Sequence, residues 1–172
     1  MKPALLIIDM QKGLLTDPRL QSELSVASEY INAVADLFRD TGRPVVVVQD
    51  TEMGEHSPGF EVTPEIRLAD SDLRISKEWN NAFWKTDLEQ LLRDKETDFV
   101  VVCGFAAEHC VTFTFNGARE RGLGRRSCKR HSRRTSGCSV RRIPGPQFDQ
   151  LCRYPCFVEQ SMTMIIDTPV NL

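Results

Sequence analysis

Three short apolar runs, each cut off by a polar residue or a glycine, constrain this chain more than any other feature. Ala4-Leu5-Leu6-Ile7-Ile8 stops at Asp9, Pro44-Val45-Val46-Val47-Val48 stops at Gln49-Asp50, and Asp98-Phe99-Val100-Val101-Val102-Cys103 stops at Gly104. None alternates apolar with polar, and each is too short for a buried helix, so they read as interior strands of a parallel sheet, apolar on both faces. Between the first two, the segment from Ser22 to Thr41 carries Leu24, Ala27, Ile31, Val34, Leu37 and Phe38 at helical spacing and halts at Gly42. Strands alternating with helices predict an α/β fold, a three-layer α/β/α arrangement around a central parallel sheet. In such sheets ligands bind beyond the carboxyl ends of the strands.

Weaker signals fill in the rest. Asp72 to Ser76 is a fourth strand candidate, and Thr86-Asp87-Leu88-Glu89 has capping-box spacing ahead of a helix running through Lys95. After Gly104 a helix is expected to begin near Cys110, with Val111, Phe115 and Ala118 on one face and Gly122 as its stop. The stretch from Met53 to Pro64 reads as a long loop of the kind that carries function.

A chain of 172 residues, 41% hydrophobic and 27% charged, can bury one substantial core. No run of eighteen apolar residues occurs and no signal-peptide pattern opens the chain, which points to a cytoplasmic protein without a membrane partner. The six cysteines form no CxxC pair and no zinc-finger spacing, so most read as reduced thiols. Net charge is only -2, but it is divided unevenly: residues 1–122 hold 13 Lys and Arg against 21 Asp and Glu, and residues 123–172 hold 9 against 3. The division expected is a core over residues 1–122 and an atypical basic segment over 123–172.

Three polar residues stand where elements change: Asp9 after the first strand, Lys77 after the weak strand, and Cys110 at a helix start. A cysteine facing free N–H groups and a nearby ammonium is expected to have a lowered pKa, with Asp9 taking its proton. Singly, each has a bland alternative: a turn carboxylate, a solvated lysine, a small buried thiol. Lys85 competes with Lys77 and reads better as a surface charge, while Trp79, Phe83 and Trp84 read as packing residues.

Leu6-Ile7-Ile8-Asp9-Met10-Gln11-Lys12-Gly13, then Ser76-Lys77-Glu78-Trp79-Asn80-Asn81-Ala82-Phe83 followed by Thr86-Asp87-Leu88, then Gly104-Phe105-Ala106-Ala107-Glu108-His109-Cys110-Val111 resemble, in order, three motifs of the isochorismatase-like hydrolases. The resemblance covers roughly residues 4–122. It implies an α/β fold and an Asp-Lys-Cys triad, carried here by Asp9, Lys77 and Cys110, that attacks an amide-like carbonyl to form a thioester and release ammonia or an amine. Isochorismatases of the same superfamily hydrolyse a vinyl ether, some without the cysteine, so Cys110 favours the amidase branch. By the same resemblance the bond before Ala106 is a candidate cis peptide, and the Ala106 and Cys110 N–H groups form an oxyanion hole. A small-molecule substrate and a homo-oligomeric assembly are implied, and no organic cofactor.

Nicotinamidases of this superfamily hold a divalent ion through an Asp-x-His motif after the second strand. Here Asp50-Thr51-Glu52 lacks that histidine, and only Asp50, Glu52 and His56 could contribute ligands, with Asp50 and His56 the weak candidates. Ser57 to Glu65 resembles the loop of metal-free amidase-like relatives, so a metal-independent member is expected.

Beyond Gly124 the run Arg125-Arg126-Ser127-Cys128-Lys129-Arg130-His131-Ser132-Arg133-Arg134 has no apolar periodicity and can supply no buried strand. Where the family continues with a strand, a helix and a closing strand, residues 123–172 offer no visible equivalent. A basic disordered extension and a nucleic-acid tether are two readings, the second opposed by the acidic 1–122 region. The third is a reading-frame shift near Gly124. The codons available to Arg125 through Gly137, read one base later, can encode an apolar strand ending in Asp. This third reading is preferred because the sheet would otherwise lack a strand on one flank. Its consequence would be a chain with its motifs present but its activity impaired.

Overall fold

The structure is a computed structural model, and it describes residues 2–124 and 162–166. The three apolar runs form β1 (Pro3–Ile8), β2 (Val45–Asp50) and β4 (Phe99–Phe105), and the weak candidate forms β3 (Leu73–Lys77). Helix α1 (Gln21–Asp40) connects β1 to β2, α2 (Leu88–Asp94) connects β3 to β4, and α3 (Thr112–Glu120) follows β4. A fifth strand, β5 (Met162–Ile166), completes the sheet order β3-β2-β1-β4-β5. The first four strands pair in parallel.

Strand periodicity divides the core into two. Leu5 and Ile7 of β1, with Val45, Val101 and Cys103, pack beneath the α1 stripe of Leu24, Ile31, Val34, Ala35 and Phe38. Ala4, Leu6 and Ile8 point the other way and join Val46, Val48, Val100 and Val102 under Leu88, Leu92 and Ala118 of α2 and α3. Residues 4–8 are wholly inaccessible to solvent, and each such Leu or Ile contributes roughly 1.5–3 kcal/mol by burial. The three-layer α/β/α expectation therefore holds, with apolar residues on both faces of the interior strands.

Three details depart from the sequence reading. The sheet is mixed, because β5 pairs antiparallel with β4, so residues 123–172 do supply a strand. The capping box before α2 is not made: Thr86 Oγ1 donates to Ala82 O at 2.5 Å and accepts from Leu88 N, while Glu89 turns outward to Arg93 and Arg121. Cys110 lies not at the start of an α-helix but within a π-helical turn, Ala107–Val111, that leads into α3. The arginine-rich run and the frame-shift reading fall on residues outside those described. Among the described residues no helix is long and apolar enough to cross a membrane.

One glycine is dictated by this geometry. Gly104, at φ +127° and next to last in β4, lies so close to β1 that a Cβ would be 2.0 Å from the Ile8 carbonyl oxygen. The chain leaves the sheet one residue later, between β1 and β4, where the strand order reverses. That reversal is the place where open α/β sheets bind ligands.

Candidate active site

The carboxyl ends of β1, β2 and β3 and the π-turn after β4 each contribute one polar side chain to a single cluster. Asp9 follows β1 with a positive φ of 51°, a conformation uncommon outside glycine but tolerated by aspartate. Asp50 and Lys77 are the last residues of β2 and β3 and are register partners in the parallel ladder. The Lys77 ammonium lies 2.8 Å from Asp9 Oδ2, 2.5 Å from Asp50 Oδ2 and 3.5 Å from Cys110 Sγ. Lys77 and Asp9 are buried, at 2% and 1% exposure, and Asp50 and Cys110 are half-buried.

Burial and charge act on these groups in opposite senses. Burial raises the Asp9 carboxyl to about 6 against the pull of Lys77, and the neighbouring Asp50 adds to the rise. For Lys77 burial favours the neutral amine, but Asp9, Asp50 and Cys110 more than offset it, so its pKa moves up and the ammonium persists. The Cys110 thiol is pushed up to about 12, first by burial and then by Asp9, with Lys77 opposing. This reverses the lowered thiol pKa expected from sequence, because desolvation and the Asp9 carboxylate outweigh the ammonium. The resting site thus holds a protonated thiol beside a carboxylate of raised basicity, and the proton rests on sulfur until the sulfur engages an electrophile.

Two residues in the cluster had no chemical signal of their own in the sequence. Gln11, fully buried, accepts from Asp50 N at 2.7 Å and donates to Asp50 O at 2.9 Å, so its amide clamps the Asp50 backbone. Asn80 Oδ1 lies 3.5 Å from Cys110 Sγ. Its backbone carbonyl accepts from Thr114, and the Thr114 hydroxyl also accepts from Ala82 N, which lays segment 80–82 along α3. Lys85 is exposed and sits 5.4 Å from the centre of the Trp79 ring, outside the cluster. Trp79 and Trp84 are about half exposed rather than packing residues, whereas Phe83 is buried among the α2 and α3 contacts.

The peptide bond between Phe105 and Ala106 is cis. It precedes the π-turn, whose His109 and Val111 N–H groups donate to Ala106 O. π-turns inside helices recur at functional sites.

A sequence model of the isochorismatase domain matches residues 3–124. The chain belongs to the isochorismatase family. An uncharacterised family member, YrdC of Bacillus subtilis (strain 168), is 32% identical over 120 residues, which make up 66% of this chain and 64% of YrdC. This match therefore spans less than two thirds of that relative. Among solved structures, N-carbamoylsarcosine amidase from Thermoplasma acidophilum is 31% identical, with a TM-score of 0.63 over 72% of this chain and 79% of its own. The zinc-bound pyrazinamidase of Pyrococcus horikoshii, 24% identical, shares the fold at a TM-score of 0.61 over 72% of this chain and 82% of its own.

That zinc complex raises the question of whether a metal fits here. Asp9, Asp50 and Cys110 each offer a donor atom, and these lie within 4.8 Å of one another. The Lys77 ammonium, however, contacts all three and fills the position a cation would take. The donor set does not suit a metal ion while Lys77 holds that place. His56 is exposed and outside this group, and of the two weak ligand candidates only Asp50 joins it, as a partner of Lys77.

Proposed function

We propose that this chain is a hydrolase that cleaves the C–N bond of a small amide, ureido or carbamoyl compound through a thioester on Cys110. The observation that carries the reading is the single ammonium of Lys77 in contact with Asp9, Asp50 and Cys110 at the strand ends. The similarity to an N-carbamoylsarcosine amidase supports the C–N assignment.

In this reading Asp9 takes the thiol proton as Cys110 sulfur attacks the carbonyl carbon. The resulting oxyanion is received by the Ala106 and Cys110 N–H groups. Asp9 then returns the proton to the departing nitrogen, the C–N bond breaks, and an acyl-thioester remains on Cys110. A water molecule, deprotonated by Asp9, attacks that thioester and releases the acid and the thiol. Lys77 stays protonated throughout and offsets the negative charge that builds on sulfur and on Asp9.

The test is ammonia release from a panel of small amides and ureas by the wild type and by Cys110→Ala. We expect the variant to lose at least about a thousandfold of kcat/KM with an unchanged melting temperature. Acid-quenched wild type should carry the acyl adduct by mass spectrometry. Equal turnover by both proteins would end this mechanism.

A further inference from the structure

We propose that the site around Cys110 admits neutral or cationic small molecules and rejects anionic ones, and that Asp50 sets the choice. The inference rests on the reading of Cys110 as the group that meets substrate.

The charges beside Cys110 do not balance. Two carboxylates, Asp9 and Asp50, share one ammonium at 2.8 and 2.5 Å, and the thiol adds no positive charge. An anionic substrate reaching Cys110 would find Lys77 already taken from two sides, its side chain wholly buried. Asp9 lies at 1% exposure beside the ammonium, the thiol and the Asp50 carboxylate, and among the described residues no backbone N–H donates to its carboxylate. It is an acceptor within the cluster suited to a donating ligand such as an amide NH₂ or an ammonium.

The charged sequence neighbours of these four residues have the same sign. Within two positions of Asp9, Asp50, Lys77 and Cys110 the formally charged side chains are Glu52, Glu78 and Glu108, all exposed, with no Lys or Arg. Among the described residues, Lys12 is paired with Glu61, Arg74 donates to Gln49 Oε1 and Lys85 lies over the Trp79 ring. Charges a few ångströms apart and partly shielded from water interact strongly enough to discriminate ligands by at least an order of magnitude. Asp50 is singled out because its carboxylate is the one in excess. With Asp50 neutral, Lys77 and Asp9 would cancel.

Iodoacetamide and iodoacetate test this directly, since they differ in charge and scarcely in size. Each loses iodide as the sulfur forms a C–S bond and the thiol proton passes to a base or to solvent. Rates are followed on the Cys110 peptide by mass spectrometry at pH 8. The amide-to-acid rate ratio is divided by the same ratio for 2-mercaptoethanol. We expect the wild-type value to exceed one by at least about tenfold, and Asp50→Asn to bring it within about threefold of one. Glu78→Gln with Glu108→Gln should produce a smaller fall that high salt mimics. A wild-type value at or below one overturns the charge preference whether or not any variant folds. An unchanged value in folded Asp50→Asn overturns the role of Asp50. Alkylation needs no turnover, so a chain that separates the two reagents yet releases no ammonia from any amide would sink the hydrolase reading and leave the site's charge preference standing.

Discussion

Asp9 is under two demands that burial sets against each other, because a carboxylate inside the protein is both a better base and a costlier charge. With its carboxyl raised to about 6, Asp9 is mostly ionised at neutral pH and protonated in mild acid. We expect kcat/KM to be flat above about pH 7 and to fall about tenfold per unit below pH 6, with no such limb in Asp9→Asn, whose activity should be minimal at every pH. Stability should move the other way. Because the folded-state value lies above the unfolded 3.8, the folded chain binds the extra proton between about pH 4 and 6. The contribution of Asp9 to stability is thus fully present below the unfolded value and lost as pH rises through 6, by on the order of 2–3 kcal/mol. The difference between wild-type and Asp9→Asn unfolding free energies across pH 4–7 measures it. A difference that stays constant, or that grows in favour of the wild type as pH rises, would contradict the raised value. Asp9, Lys77 and Cys110 could be picked out in sequence because each stands near a change of element inside a recognisable motif. The place of Asp50 against Lys77 could not, since which strand neighbours which is a property of the sheet order, and Asp50 was read only as a weak metal ligand.

At the scale of elements, the site depends on how the segment after β1 is held to the loop after β2. Gln11 forms an antiparallel bridge with Val62, Lys12 N donates to Glu61 O, and Gly13 N donates to Gly59 O, so residues 11–13 run alongside residues 59–62. The Gln11 amide adds the clamp on Asp50 and a further donation to Phe60 O at 3.2 Å. Gln11→Leu fills a similar volume but leaves the Asp50 N–H and C=O without their side-chain partner, while Phe60 O keeps its bond from Gln49 Nε2 at 2.8 Å. We expect a loss of about 2–4 kcal/mol in chemical denaturation, and a fall in kcat/KM under conditions where the variant is fully folded. Retention of full activity in the folded variant would mean that the Asp50 backbone needs no such clamp. The β-branched runs and the α1 stripe were legible because their patterns repeat over many residues. The π-turn was not, since one extra residue in a helical turn leaves no periodic trace, and neither was the failed capping box, whose threonine finds a better acceptor in Ala82 O.

For the whole molecule, the question is what closes the β4 side of the sheet. Sequence made the strand deficit visible but placed no strand in residues 123–172, because Met162–Ile166 is short and lies far beyond the last helix signal. Its pairing runs from Val101 with Ile166 to Phe105 with Met162, along most of the strand that leads into the Cys110 turn. Without β5, the unpaired N–H and C=O groups of β4 would face outward beside an apolar run, an arrangement that invites aggregation. Successive N–H groups of a strand point to opposite sides, so placing proline at two adjacent positions must remove one donor aimed at β4. The double substitution Thr163→Pro with Met164→Pro is therefore expected to lower the melting temperature by several degrees, corresponding to about 1–3 kcal/mol. Light scattering on heating should rise sooner than in the wild type. The Lys77 contacts come from β1, β2, β3 and the π-turn, so folded variant at low temperature should retain alkylation of Cys110 at close to the wild-type rate. A variant that melts with the wild type would show that β5 contributes nothing to closing this edge.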